Sequence, residues 1–343
     1  MYISAVLAAA YVVKVFNRTP ENSAKPYVRE FRLFGTYGRL TFWAEPAVAK
    51  AAADKIYAKL EKVNSKLNLF DKSSELSRLN KNAYFHPVKC SPRLWDALIT
   101  ARRAYRLTDG AFDISIGALM DVWGFHHSRN TYPTKDEVKK ALQACGLDKV
   151  KFNESARTIR FQHPDMYLDF GGIAKGYALD IAVDIARRQG IESGIIDLGG
   201  NLYCFPRPPP GQKTYKIGLK NPLDPASILQ VIPARNRTIA TSGNYENNRI
   251  IDGKEVHHIL NPQTGYPVDR IAGVTVITSQ SWLSDVFSTA IFIGGDKMVE
   301  RLRQQDDSRA VLIIKQNRRE QPEIKVWQWP APLDAVKQKL SRD

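Results

Sequence analysis

Apolar and polar positions alternate through residues 31–43 (FRLFGTYGRLTFW), and with their aromatic content this predicts a strand bent at Gly35 and Gly38. The period then changes. Ala49, Ala52, Ala53, Ile56, Leu60, Val63 and Leu67 recur at three- and four-residue steps, which predicts a helix over 46–68. A short helix is expected at 74–80. Ser91-Pro92 opens another, with serine as cap and proline in the first turn, and it runs to about Leu107 before Asp109-Gly110. Thr134 and Glu137 form a capping box for a helix through Ala144, ended by Gly146. Short strands are expected near 150–153, 157–161 and 167–170, then a helix over 173–189 and a buried strand at 194–198. Strands near 215–219, 228–233, 237–241 and 273–279 follow. A helix from Trp282 to Ile293, another at 296–305 and a hairpin at 309–315 and 323–328 close the pattern. Strands and helices mix without a regular βαβ period, which argues for α+β with a largely antiparallel sheet. No break in composition divides residues 30–330, and 331–343 reads as a C-terminal tail.

The start of the chain has its own character. Ile3 to Val13 is almost wholly apolar and Lys14 follows at once. The run is too short for a bilayer span, which needs about 20 residues, but has the length of a signal-peptide hydrophobic region. A basic segment before it is missing, and Ala8-Ala9-Ala10, which resembles a cleavage site, lies inside the run. Residues 1–16 are therefore expected to be an export signal or membrane-anchor remnant, and 17–29, with Pro20 and Pro26, a linker. The alternatives are a truncated or misassigned start and a buried first strand.

Composition adds two constraints. With 43% apolar residues, 14 Phe, 14 Tyr and 6 Trp, the chain has ample core material and is not disordered throughout. Its charge is lopsided, 50 Lys+Arg against 35 Asp+Glu, or +15. Such a surface draws anionic partners. Nucleic acid is not expected, because the basic residues form pairs such as Arg102-Arg103 and Arg187-Arg188 rather than a dense run. Cys90, Cys145 and Cys204 show no metal spacing.

Four clusters carry candidate chemistry. In 108–125 (TDGAFDISIGALMDVWGF), Asp113 stands between Phe112 and Ile114, and a carboxylate among apolar neighbours is costly unless hydrogen-bonded. In 167–180 (YLDFGGIAKGYALD), Asp169 and Gly171-Gly172 lead into a helix whose first turn holds Lys175, a place that favours anions. The spacing is neither that of a phosphate-binding P-loop nor that of a dinucleotide fingerprint. In 238–268, His257 and His258 are adjacent on an expected strand and point to opposite faces, so at most one serves a site. In 285–289 (DVFST), Asp285 and Thr289 share a helix face, a hard-oxygen pair suited to Mg²⁺ and phosphate chemistry. Taken singly, each cluster also fits a purely structural role.

Together and in this order, the clusters resemble the ApbE family, flavin transferases that move FMN from FAD onto protein threonines. The resemblance spans roughly 30–315 and rests on FGT (34–36), FDKSSELSRLN (70–80), DGAFDISIGALMDVWGF (109–125), LDFGGIAKGYALD (168–180), IIDLGGN (195–201), TSGNYE (241–246), HHILNPQTGYP (257–267) and SDVFSTAIFIGG (284–295). It implies a T-fold-like α+β architecture with FAD in a cleft and Mg²⁺ at its pyrophosphate. Phe34 and Phe70 then correspond to flavin-site positions. Ala111, Phe112 and Asp113 fall in the segment lining the adenosine or flavin end. Asp169 and Lys175 correspond to FAD contacts, and Ile259 to a flavin neighbour. Gly172, through its carbonyl, with Asp285 and Thr289, corresponds to the metal ligands. His258 corresponds to the motif histidine. The chain departs from the family pattern at Gly172, where alanine is common, at Asn261 in place of aspartate, in the proline-rich 206–210 and at His126-His127.

The implied chemistry is coherent. Mg²⁺ would polarise the phosphoryl oxygens, Lys175 would offset developing negative charge, and His258 would accept the threonine proton. The resemblance further implies an acceptor in a membrane redox complex, of the Na⁺-pumping quinone reductase or Rnf type, and work on the periplasmic side of the inner membrane. Two other readings stay open: an FAD pyrophosphatase yielding FMN and AMP, and a flavin-binding protein without catalysis.

Overall fold

The structure is a computed structural model and describes residues 13–15, 25–221, 224, 226–245, 247–303, 308–315 and 323–328. In chain order the elements are β1 (Val13–Val15), β2 (Tyr27–Leu33), β3 (Thr36–Phe42), α1 (Pro46–Leu67), α2 (Glu75–Asn82), β4 (Val88–Lys89), α3 (Pro92–Leu107), α4 (Gly117–Val122) and α5 (Lys135–Gln143). Then come β5 (Val150–Asn153), β6 (Thr158–Phe161), α6 (Ala174–Arg188), β7 (Gly194–Leu198), β8 (Asn201–Cys204), β9 (Tyr215–Lys220), β10 (Ile228–Ala234) and β11 (Arg237–Gly243). The last are β12 (Asn248–Ile251), β13 (Lys254–His257), β14 (Ile271–Thr278), α7 (Ser281–Arg303), β15 (Ser308–Lys315) and β16 (Glu323–Gln328).

An eight-stranded sheet in the order β16-β15-β14-β11-β8-β7-β3-β2 organises the molecule, and its described pairings are antiparallel. Helices α1, α6 and α7 lie side by side on one face. The sheet β1-β9-β10 covers part of the other. This double cover explains the apolar run at 194–198: Ile196 faces α1 and α6, while its neighbour Ile195 packs with Tyr215, Ile217 and Ile232. The fold is the expected α+β one. The caps also form as read: Ser91 Oγ accepts from the Leu94 amide, and Thr134 and Glu137 cap reciprocally.

Several boundaries differ from the sequence pattern. The strand expected at 31–43 is the hairpin β2–β3, turned by Phe34 (φ 54°) and Gly35 (φ 69°), and β2 begins at Tyr27, inside the expected linker. Residues 167–170 form no strand. The Asn80 side chain takes the place of a partner strand, donating to Leu168 O and accepting from Leu168 N, both at 2.9 Å. The two helices expected at 282–293 and 296–305 form as the two segments of α7, which meet at a non-helical break at Gly295 (φ 59°). Val13–Val15 pairs with β9, so part of the 1–16 segment joins a sheet; residues 1–12 and the tail 331–343 lie outside the described residues. No helix among the described residues is long and apolar enough to cross a membrane.

Candidate active site

The site forms where the start of α6 meets α7. Asp169 Oδ1 accepts from the Gly171 amide at 2.7 Å, fixing the turn through Gly171-Gly172, and Ile173 N closes it onto Phe170 O at 2.9 Å. The ring of Phe112 packs on Gly172, and a Cβ there would come within 3.0 Å of it. Helix α6 then starts with no side-chain cap, and its early amides are used across the helix contact. Gly176 N donates to Asp285 Oδ2 at 2.8 Å. Lys175 Nζ stands 4.0 Å from Asp285 Oδ1. One turn further along α7, Thr289 Oγ1 lies 3.3 Å from Asp285 O and 3.2 Å from Ser242 Oγ, which is itself 2.8 Å from Ser288 Oγ.

This oxygen set suits one hard cation. Asp285 is buried, and among the described residues its Oδ1 has only the distant Lys175 as partner. Thr289 supplies a neutral oxygen, and the Gly172 carbonyl belongs to the turn beside them. Among the described residues no three His, Cys, Asp or Glu side chains gather as a metal cluster. A cation here would draw on one carboxylate, a hydroxyl and a carbonyl, completed by phosphate and water, which is how Mg²⁺ is ordinarily held.

The two histidines have different surroundings, but not by strand alternation: β13 ends at His257, and His258 lies just beyond it. His257 is buried, its Nε2 bonded to Val268 O and its Nδ1 accepting from Ile259 N at 3.2 Å, with its ring edge-on to Phe292. It braces the fold, a larger role than that of a bystander on the far face of a strand. Among the described residues, His258 Nδ1 is buried with no hydrogen-bond partner. Burial, then the charge of Lys175 and the neighbouring His257, lower its pKa to about 4, so its imidazole is neutral at physiological pH.

The remaining candidates divide. Phe34 occupies the left-handed turn of β2–β3, its amide held by Asn64 Oδ1 at 2.9 Å, a constrained conformation of the kind that collects at functional sites. Phe70 is 72% exposed, an aromatic face left open before α2. Ala111, Phe112 and Ile259 are buried in the main core. Asp113 is buried, and its Oδ1 accepts from Ser115 N and Ser115 Oγ, both at 2.7 Å, which supplies the hydrogen bonds a carboxylate among apolar neighbours needs. Burial raises its pKa against those bonds.

One cluster escaped the sequence reading. His126 Nε2 lies 2.9 Å from Asp169 Oδ2, and its Nδ1 lies 3.1 Å from Asp121 Oδ1 and 3.0 Å from Tyr167 Oη. The only signal was that His126-His127 departs from the family pattern, with nothing in the spacing to pair it with Asp169.

Known proteins resemble this chain over most of its length. The model of the ApbE family matches residues 34–313. An FAD:protein FMN transferase of Klebsiella pneumoniae (strain 342) is 32% identical over 271 residues, 78% of this chain and 83% of that protein. One from Vibrio cholerae (serotype O1, strain O395) is 28% identical over 287 residues, 82% and 85% of the two chains. Among solved structures, the ApbE protein of Thermotoga maritima aligns with a TM-score of 0.80 at 28% identity, covering 88% of this chain and 96% of its own. The flavin transferase ApbE from Vibrio cholerae aligns at 0.77 and 25% identity, covering 89% and 97%.

Proposed function

The chain belongs to the ApbE family, and we propose that it is an FAD:protein FMN transferase that esterifies a threonine hydroxyl of an acceptor protein with the FMN phosphate of FAD, aided by Mg²⁺. The observation that carries this reading is the pairing of a cation-ready Asp285–Thr289 edge with a neutral histidine whose buried Nδ1 lacks a partner among the described residues. A buried nitrogen of that kind is costly unless substrate completes it.

Asp285, Thr289 and the Gly172 carbonyl would hold the metal. Bound there, Mg²⁺ would polarise the pyrophosphate and stabilise the charge that builds on the departing AMP. Lys175 adds a fixed positive charge beside Asp285. Phe70 and Phe34 offer aromatic surface to the flavin, and Asp169 holds the turn before α6. His258 takes the threonine proton as the oxygen bonds to the FMN phosphorus; the bond from that phosphorus to the bridging oxygen breaks, and AMP leaves with the electron pair. Phosphate charge in the occupied site opposes the effect of Lys175 and brings His258 closer to the basicity the step needs.

The proposed acceptor is a subunit of a membrane redox complex of the Na⁺-pumping quinone reductase or Rnf type, met on the periplasmic side of the inner membrane. The apolar stretch Ile3–Val13, the family resemblance and the +15 balance support this. Mixing the protein with FAD, Mg²⁺ and such a subunit tests the reaction. Flavin covalently attached to the subunit supports transfer, free FMN with AMP indicates hydrolysis, and unchanged FAD refutes both. Recovery of the protein only from the cytoplasmic fraction refutes the location.

A further inference from the structure

We infer that His126 is a positioning residue for FAD, tying Asp169 and the Phe70 ring to a rigid anchor formed by Asp121 and Tyr167. The inference rests on the reading above that Asp169 and Phe70 belong to the FAD site.

The geometry is specific. The His126 side chain is 11% exposed, and each of its nitrogens is used. Nε2 meets Asp169 Oδ2 at 2.9 Å, while the other oxygen of that carboxylate holds Gly171 N at 2.7 Å. One carboxylate therefore links His126 directly to the glycine turn that launches α6. Nδ1 meets Asp121 Oδ1 at 3.1 Å, and Asp121 projects from α4, a separate element. Phe70 sets its ring edge-on to the imidazole, with centroids 5.8 Å apart. Phe70 is otherwise an exposed aromatic just beyond α1, and this contact gives its ring an orientation.

Charge accounts for the strength of the arrangement. The groups facing His126 are Asp121 from α4, Tyr167 and Asp169 from the segment before α6, Phe70 from the α1–α2 connection and the adjoining His127, whose Nδ1 lies 3.3 Å from Asp121 Oδ1. Burial by itself would lower the imidazole's pKa. The hydrogen bonds and charges of Asp121 and Asp169 outweigh that and raise it to about 9. At neutral pH the ring is an imidazolium donating from both nitrogens between two carboxylates, the strong form of such a contact. With both N–H groups occupied it has no proton to offer a phosphate and no lone pair for general-base work. Its role is to hold other residues in place.

A neutral side chain at 126 cannot satisfy both carboxylates, so Asp169 and Phe70 lose their fixed orientation. The test is FAD affinity, by equilibrium dialysis with Mg²⁺, for wild type, His126→Gln, Asp169→Asn and Phe70→Ala from pH 6 to 10. His126→Gln is expected to weaken binding roughly tenfold at pH 7, the size of a charged hydrogen bond, with kcat at saturating FAD little changed. The wild-type affinity should fall as pH rises through about 9, and His126→Gln should lose that inflection. If Asp169→Asn and Phe70→Ala weaken binding while His126→Gln matches wild type in affinity and pH profile, the inference is overturned and the site assignment stands. If none of the three weakens binding, the site assignment itself fails. Should His126→Gln not fold, the wild-type imidazole resonances of His126 by ¹⁵N NMR decide: a shift on FAD addition at pH 7 is expected, and an unmoved signal overturns the inference.

Discussion

The Gly176 amide donates to Asp285 Oδ2 at 2.8 Å across the α6–α7 contact, and the same glycine leaves no room for a side chain. A Cβ at 176 would lie 2.5 Å from Ser281 O, 2.7 Å from Asp285 Cβ and 2.8 Å from Trp282 Cα. Two of those three atoms are backbone, so relief means moving α7 away from α6. Gly176→Ala is therefore expected to cost about 1–3 kcal/mol, as overpacking does, despite the better helix propensity of alanine. Because the displaced element carries Asp285 and Thr289, the Mg²⁺ concentration needed for half-maximal turnover should rise as well. Thermal unfolding and an Mg²⁺ titration of activity measure the two effects. An alanine variant with wild-type values in both would show that the helix contact has slack the distances do not suggest.

Asp285 and Thr289 should differ in severity. Asp285→Asn keeps an acceptor for the Gly176 amide and removes the charge, so folding should survive while Mg²⁺-dependent turnover is lost. Asp285→Ala also leaves that amide unpaired, adding about 1–3 kcal/mol of destabilisation. Thr289→Val loses a neutral oxygen with its contacts to Ser242 Oγ and Asp285 O, so a rightward shift of the Mg²⁺ curve with residual activity is expected. Turnover against Mg²⁺ concentration for the three variants checks the order. Full activity of Asp285→Asn at ordinary Mg²⁺ would remove the metal assignment.

Much of this arrangement is legible in the sequence. The caps at Ser91 and Thr134, the apolar stripe of α1 and the doubly covered strand β7 are local patterns with local causes. Asp285 and Thr289 could be placed on one helix face by spacing alone. What stayed hidden depends on partners distant in sequence. Nothing near Leu168 reveals that Asn80, 88 positions away, will replace a strand neighbour. His126 meets Asp169 across 43 positions, a separation no periodicity reports. The β12–β13 hairpin is different: Asp252-Gly253, both at positive φ, is a turn signal readable in the sequence itself.

The adjacent histidines should fail in different ways. His258→Ala removes the neutral base and is expected to lower transfer by about 10²–10⁴-fold, with FAD binding and melting temperature largely kept. His257→Ala cuts the bonds to Val268 O and Ile259 N and empties space against Phe292, so its expected signature is about 1–3 kcal/mol of lost stability. Activity per folded molecule should remain closer to wild type. Single-turnover rates set beside denaturant unfolding separate the two. A stable but inactive His257→Ala would mean that the roles are exchanged.

The pH dependence of stability follows from opposite shifts at His126 and His258. His126 has a folded-state pKa of about 9 against an ordinary value of 6.5, so between those limits the native state holds the extra proton. Its stabilisation is complete below pH 6.5 and is lost as pH rises through about 9. The difference of 2.5 pKa units corresponds to about 3 kcal/mol at most. His258 runs the other way. Its folded-state pKa is about 4, so below pH 6.5 the unfolded chain binds the extra proton and stability falls as pH drops toward 4. Melting temperature should therefore decline on both sides of a maximum near pH 6.5. In His126→Gln the alkaline decline should flatten relative to wild type, and in His258→Gln the acid decline should flatten while the alkaline limb is kept. The comparison with wild type matters, because carboxylates such as Asp121, held low chiefly by His126 and Tyr167 against the effect of burial, also contribute to acid unfolding. Parallel curves for His126→Gln and wild type above pH 7 would mean that the imidazole between Asp121 and Asp169 is not charged in the native state.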